Sequence, residues 1–123
     1  MHSPTSESVL AKAHPDLFAD VRCGISIGIG WVPIILDLAE AIKSHGKQVV
    51  VEQIKEKFGG LRFYYSGDDI EDFVSAAEDF CWNHCEECGG PARRNMAGEV
   101  WRTSGWVKTL CEDHAAEWDR RAR

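Results

Sequence analysis

Apolar residues recur at three- and four-residue spacing through Trp31, Ile34, Ile35, Leu38, Ile42 and His45, which predicts an amphipathic helix with Pro33 in its first turn and Gly46 as its stop. The pattern then changes period. Gln48-Val49-Val50-Val51-Glu52-Gln53-Ile54 reads as a strand, and Leu61-Arg62-Phe63-Tyr64-Tyr65 as its antiparallel partner across a turn containing Gly59-Gly60. Helical spacing returns at Ile70, Phe73, Val74, Ala77, Phe80, Cys81 and His84, with Asp68 or Asp69 as the expected N-cap. Upstream, residues 1–6 read as a loose terminus and residues 7–14 as a short helix ending before Pro15. The stretch 23–30, Cys-Gly-Ile-Ser-Ile-Gly-Ile-Gly, is apolar and punctuated by glycine. Pro33 stands where a dinucleotide loop needs a third glycine, so a buried loop or short strand is the better reading.

Beyond residue 84 periodicity fades and chemistry takes over. Cys85-x-x-Cys88 and Cys111-x-x-His114 form two tight pairs with a Gly89-Gly90 step after the first. Zinc in a structural site takes four such ligands in a tetrahedron, and a two-residue spacer lets a pair occupy adjacent corners. Glycine suits the chain reversal behind Cys88. Val100-Trp101-Arg102-Thr103 and Trp106-Val107-Lys108-Thr109, broken at Ser104-Gly105, predict a hairpin between the pairs. Cys111 then opens a helix whose acidic first turn and terminal Arg120, Arg121 and Arg123 complement its dipole. Knuckle, hairpin and helix in this order resemble a treble-clef finger. A catalytic pattern, His-x-Glu followed by Pro-Cys-x-x-Cys, fits poorly: Leu110 replaces the proline, His114 replaces a cysteine, and Cys85 and Cys88 would have no role.

The expected fold is therefore α+β: helices packed on a β-hairpin in residues 1–84, closed by a treble-clef-like zinc module in residues 85–123. With 44% hydrophobic and 28% charged residues the composition is that of an ordinary globular chain. The longest uncharged run, residues 23–36, is too short to span a bilayer, and no secretory pattern opens the chain. Cysteines at metal spacing point to a reducing cytoplasm rather than a disulfide framework.

Net charge is −6, and its division is informative: residues 1–84 carry 13 acidic against 7 basic side chains, residues 85–123 carry 7 against 7. The finger therefore lacks the basic excess by which a nucleic-acid module usually binds phosphate. Remaining candidate chemistry is sparse. Cys81 and His84 share a helical face, and a Cys-His pair can make a nucleophile, but both lie on the apolar stripe and read as packing, with His84 available to support a zinc-bound thiolate. Cys23 reads as a small buried hydrophobe, and Trp101, Trp106 and Trp118 as padding of the small zinc module, whereas an exposed one would suggest a binding hot spot.

The segment Gln53-Ile54-Lys55-Glu56-Lys57-Phe58-Gly59-Gly60-Leu61-Arg62-Phe63-Tyr64 is distinctive. Together with Gly30-Trp31 before a helix and the C-terminal Cys-x-x-Cys and Cys-x-x-His, it resembles a group of small zinc-finger-containing proteins of tailed phages and bacterial prophages. In that group a Gly-Trp helix, a Gln-x-Lys-Glu-Lys-Phe-Gly-x-Leu-Arg-Phe-Tyr hairpin and the two ligand pairs occur in the same order. The likeness covers residues 30–114, and Ile29 departs from it where an acidic residue is expected. The group carries no established activity. The resemblance implies an accessory protein acting in a bacterial host, and with it a host-protein partner.

Physically, the hairpin end is unusual, because Lys55, Glu56, Lys57 and Arg62 crowd around Phe58, a large apolar residue in what should be a solvated turn. Phe58 either folds back as a plug with the charges as a solvated rim, or it forms with Tyr64 the apolar anchor of a contact surface that the basic residues steer. Three functions follow as expectations: a non-enzymatic interaction protein that inhibits or redirects a host or defence factor, a nucleic-acid binder using the basic hairpin end with Arg93, Arg94 and Arg102, and a small metal-dependent enzyme.

Overall fold

The computed structural model describes residues 4–121. Arg123, expected at the end of the last helix, and residues 1–3 lie outside that range. The chain forms α1 (Ser6–Ala13), α2 (Pro15–Phe18), β1 (Ile25–Ser26), a 3-10 turn (Ile29–Trp31), α3 (Val32–Ser44), β2 (Val49–Lys57), β3 (Gly60–Gly67), α4 (Glu71–Asn83) and α5 (Glu112–Arg121). This is an α+β fold. The sheet is larger than a bare hairpin, because β1 pairs in parallel with β2, Ile25 opposite Ile54 and Ser26 opposite Lys55.

Helix α1 begins earlier than its apolar pattern implied. Thr5 caps it: its hydroxyl accepts from the Ser8 amide while Ser8 Oγ accepts from the Thr5 amide, a reciprocal arrangement that the expected loose terminus through residue 6 overlooked. Helix α3 buries Val32, Ile35, Leu38, Ala39 and Ile42, and α4 buries Val74, Ala77 and Cys81. Helix α3 packs on α4 and α4 on β3, and their apolar residues join Ile54, Leu61 and Phe63 in one core that includes fully buried Trp31. The two acids before α4 divide the work expected of one. Asp69 accepts from the Glu71 amide at 2.9 Å, whereas Asp68 accepts from the Gln48 amide at 2.7 Å and so latches the open end of the hairpin.

The β2–β3 register pairs Lys57 with Gly60, Lys55 with Arg62 and Gln53 with Tyr64. The connecting turn is therefore Phe58-Gly59, one residue earlier than the glycine pair implied. Both turn residues have positive φ, 55° and 82°, the combination that matches the twist of a two-residue hairpin. Since side chains alternate along a strand, Ile54, Glu56, Leu61 and Phe63 face inward, and Gln53, Lys55, Lys57, Arg62 and Tyr64 share the outer face.

The regular hairpin expected over residues 100–109 does not form. Thr103 replaces a ladder there: its hydroxyl donates to the Trp106 carbonyl and accepts from the Lys108 amide, both at 2.8 Å. A side chain that satisfies the backbone locally removes the need for strand pairing. The chain reverses instead at residues 95–98, where the Asn95 side chain accepts from the amides of Ala97 and Glu99 and Gly98 takes a positive φ. Among the described residues no helix is long and apolar enough to cross a membrane.

Candidate metal centre

The glycine-punctuated segment before α3 proves to be a seat for the first ligand pair. A Cβ on Gly30 would lie 2.5 Å from the amide nitrogens of Cys88 and Gly89 and 2.6 Å from the Cys85 carbonyl; one on Gly28 would lie 2.4 Å from the Glu86 carbonyl. Backbone thus packs directly on backbone. The Gly30 amide donates to the Glu86 carbonyl at 2.8 Å, the Gly28 amide to the Glu86 carboxylate at 2.9 Å, and the Trp31 indole to the His84 carbonyl at 3.0 Å.

On this seat the chain turns tightly. Gly89, at φ 77°, donates to the Cys85 carbonyl and Cys85 donates to the Gly90 carbonyl, so the Cys85 and Cys88 side chains converge. The other pair arrives from the far side: Cys111 precedes α5 and His114 occupies its first turn. The donor atoms of Cys85, Cys88, Cys111 and His114 all lie within 4.8 Å of one another. Cys88 and Cys111 sulfurs are 3.8 Å apart, and His114 Nδ1 is 3.5 Å from Cys85 Sγ and 3.1 Å from Cys111 Sγ.

A tetrahedron with ordinary zinc–sulfur and zinc–nitrogen bond lengths has sulfur–sulfur edges of roughly 3.8 Å and sulfur–nitrogen edges of roughly 3.6 Å. The Cys88–Cys111 edge matches the first, the Cys85–His114 edge lies close to the second, and the Cys111–His114 edge is shorter. The quartet read from the sequence is thereby assembled in space as a site compatible with a metal.

The thiols are not equivalent. Burial pushes the Cys85 thiol up to about 11, against the pull of the Cys111, Cys88 and Glu87 amides. For Cys111 burial acts upward too, but contacts from His114, Cys88 and Cys85 bring it down to about 7. Leu110, Ala115 and half-buried Trp118 pack around Cys85 as a small second core. The other cysteines stand apart. Cys81 is fully buried and its thiol is pushed well up, chiefly by burial, as its place on the apolar stripe implied. Cys23 is exposed, contrary to the buried reading, because it lies in the loop before β1. His84 does not support a thiolate. Its ring stacks on Phe80 at 3.8 Å and its Nδ1 contacts the Phe80 carbonyl.

Residues flanking the ligands reach the hairpin tip. The Lys108 ammonium contacts Glu56 at 2.8 Å and Glu86 at 3.1 Å, all three side chains being largely buried. The second Glu56 oxygen accepts from the Gly59 amide. Burial pushes the Glu86 carboxyl upward, against the opposing pull of Lys108 and the Gly28 amide. Thr109 donates to the Gly59 carbonyl and accepts from Arg102 Nε at 2.8 Å; Arg102 in turn donates to the Trp82 carbonyl and covers the Trp82 ring at 4.2 Å. Trp82 closes over Gly60, where a Cβ would meet its ring at 2.8 Å.

With its base held in this way, Phe58 points outward. It is 64% exposed, which removes the reading of it as a plug. Lys57 lies 5.7 Å from its ring, and Lys55 lies 5.9 Å from the ring of exposed Tyr64. Two of the three finger tryptophans expected to be padding are also exposed: Trp106 at 71%, and Trp101 at 52% although Arg93 stacks on its ring at 3.8 Å. Both lie in irregular segments with no periodic face, so their burial had no sequence signal. Phe58, Trp106, Val107 and Lys57 border a cleft of about 230 Å³. Trp106, read from the sequence chiefly as padding, is the exposed aromatic that stands beside Phe58. Arg93, proposed with Arg94 and Arg102 as a nucleic-acid contact, is buried and engaged with Asp119 and the Trp101 carbonyl.

The chain matches no protein-family model, and searches of curated proteins and of solved structures find no match either.

Proposed function

We propose that this is a zinc-braced, non-catalytic binding protein that works through the tip and outer face of the β2–β3 hairpin, with another protein as its partner. The observation that carries the proposal is Phe58. A bulky side chain in the left-handed region costs roughly 1–2 kcal/mol, and its exposure recovers none of that by burial. Asparagine or glycine would serve the turn better, so a contact role accounts for the residue where a folding role does not.

The metal in this reading is structural zinc. Four protein donors complete a tetrahedron without a place for substrate, and three thiolates against one divalent ion leave the centre slightly negative. The tight ligand turn, the reversal at residues 95–98 and the ligand in the first turn of α5 support a treble-clef description. The phage and prophage resemblance supplies the setting: an accessory protein in the bacterial cytoplasm that inhibits or redirects a host or defence factor.

The test is co-purification of zinc-loaded protein from bacterial lysate. Wild type and the control Met96→Ala, which alters an exposed side chain in the 95–98 turn, should retain a common partner that Phe58→Ala and Lys57→Glu lose. A partner held equally by both hairpin variants, or no partner at all, overturns the reading.

A further inference from the structure

We infer that the surface around Phe58 takes a short, extended acidic segment of its partner, with one apolar side chain set between Phe58 and Trp106 and alternate carboxylates lying on Lys57, Lys55 and Arg62. This rests on the hairpin being the contact surface. It adds the chemistry of what is contacted.

The cleft supplies the apolar part. Phe58 and Trp106 are the two most exposed aromatic side chains among the described residues, and Val107 lies with them. At about 230 Å³ the space admits one leucine- or phenylalanine-sized group. Glu56 also borders it, but its two oxygens are committed to Lys108 and to the Gly59 amide. Tryptophan is among the residue types that dominate binding energy, and phenylalanine is enriched with it at interfaces.

The charges supply direction. Lys55 and Lys57 are two residues apart on one strand, hence roughly 7 Å apart along the outer face, and Arg62 is the cross-strand neighbour of Lys55. An extended peptide presents alternate side chains at the same interval. Gln53, Tyr64, Ser66 and its partner Val50 continue the outward positions of this register without a carboxylate, and the exposed acid of the strand is Glu52 at the bulge beyond Gln53; Glu78 on α4 is the acid whose field Arg62 enters. The face is therefore locally cationic on a chain of net charge −6. That contrast favours a short acidic peptide over a nucleic acid. Three cations match two or three carboxylates, whereas a longer polyanion would run onto the acidic remainder of the surface, and nucleic-acid affinity grows with the number of phosphates neutralised.

The probe is an acetylated, amidated pentapeptide, Leu-Gly-Glu-Ser-Glu, titrated into zinc-loaded protein while backbone and indole N–H resonances are followed. Saturable shifts are expected at residues 55–58 and at the Trp106 indole, with about tenfold weaker binding when the peptide leucine is replaced by alanine, and about tenfold weaker binding to Lys57→Glu. Phe58→Ala and Trp106→Ala alter exposed side chains, so unchanged zinc content and dispersion will show that they remain folded; each should weaken binding at least fivefold. Absence of shifts at millimolar peptide, shifts that ignore both aromatic variants, or tighter binding of an oligothymidylate of matched charge overturns the inference. A partner captured through the hairpin whose footprint lacks an acidic segment would overturn this inference and leave the functional reading standing; capture that ignores the hairpin would remove both.

Discussion

The Thr109 hydroxyl donates a 2.6 Å hydrogen bond to the carbonyl of Gly59, joining a residue two positions before the ligand Cys111 to the residue that follows Phe58. Thr109 is fully buried. Thr109→Val keeps the shape but strands the Gly59 carbonyl and the Arg102 Nε–H, a loss of about 1–3 kcal/mol. Urea denaturation should register that loss, and amide exchange at residues 57–60 should accelerate more than exchange in α3. Uniform acceleration would mean that Thr109 supports the fold without a special claim on the tip.

Removal of the metal should disorder the C-terminal region and release the tip together. Native mass measurement is expected to give one zinc per chain. A chelator or Cys111→Ser should abolish the protection of residues 85–121, since structural zinc sites of this kind contribute on the order of 10 kcal/mol. A well-folded Cys111→Ser variant that merely holds less metal would contradict a structural role.

Gly30→Ala tests the seat. The added methyl meets backbone atoms on three sides, and backbone cannot move aside as a side chain tip can. A loss of about 3 kcal/mol, the upper range for overpacking, should appear as a lowered melting temperature and weaker zinc retention. Gly46→Ala provides the comparison, because nothing lies near its added methyl and only its positive φ resists the change.

Phe58→Asn should move stability and binding in opposite directions. Asparagine tolerates the left-handed region and suits this turn, so stability should rise by about 1 kcal/mol while partner capture falls. Thermal unfolding and co-purification of the same preparation decide the matter. A variant that is less stable would show that the phenyl ring contributes to folding after all.

The Glu86 carboxyl is held above its ordinary 4.5, first by burial. Its proton is bound more tightly in the folded than in the unfolded state. That contribution is complete below pH 4.5 and is lost as pH rises through the raised folded value. Relative to Glu86→Gln, which cannot ionise, wild type should therefore lose stability across that interval. Urea curves at saturating zinc check the slope, and carbon NMR of the Glu86 carboxyl checks the raised midpoint.

Elements with a long repeating pattern were legible in the sequence. Helices α3 and α4 and the β2–β3 pair follow from the spacing of Ile35, Leu38 and Ile42, of Val74, Ala77 and Cys81, and from alternation about Ile54. The quartet was legible because two-residue spacers are a local property. What failed depended on partners distant in sequence or on single side chains. Val100, Trp101 and Val107 have strand-type residues, yet Thr103 satisfies the backbone that would have paired. Gly28 and Gly30 resembled a phosphate loop, and their reason lies in Glu86 and Cys88. The outward set of Trp106 and Phe58 could not be read from pattern at all, since a turn has no periodic face.

The seat of the Cys85 turn on Gly28 and Gly30 also bears on time. Its bonds join residues 58 and 53 positions apart in the chain, and contacts of such separation form slowly. With a metal ion held by the quartet, they would have to break together with its ligand bonds for the chain to open. The lifetime of the metal-bound fold would then be a question of rate, set by how seldom the ion leaves rather than by the depth of the hydrophobic core.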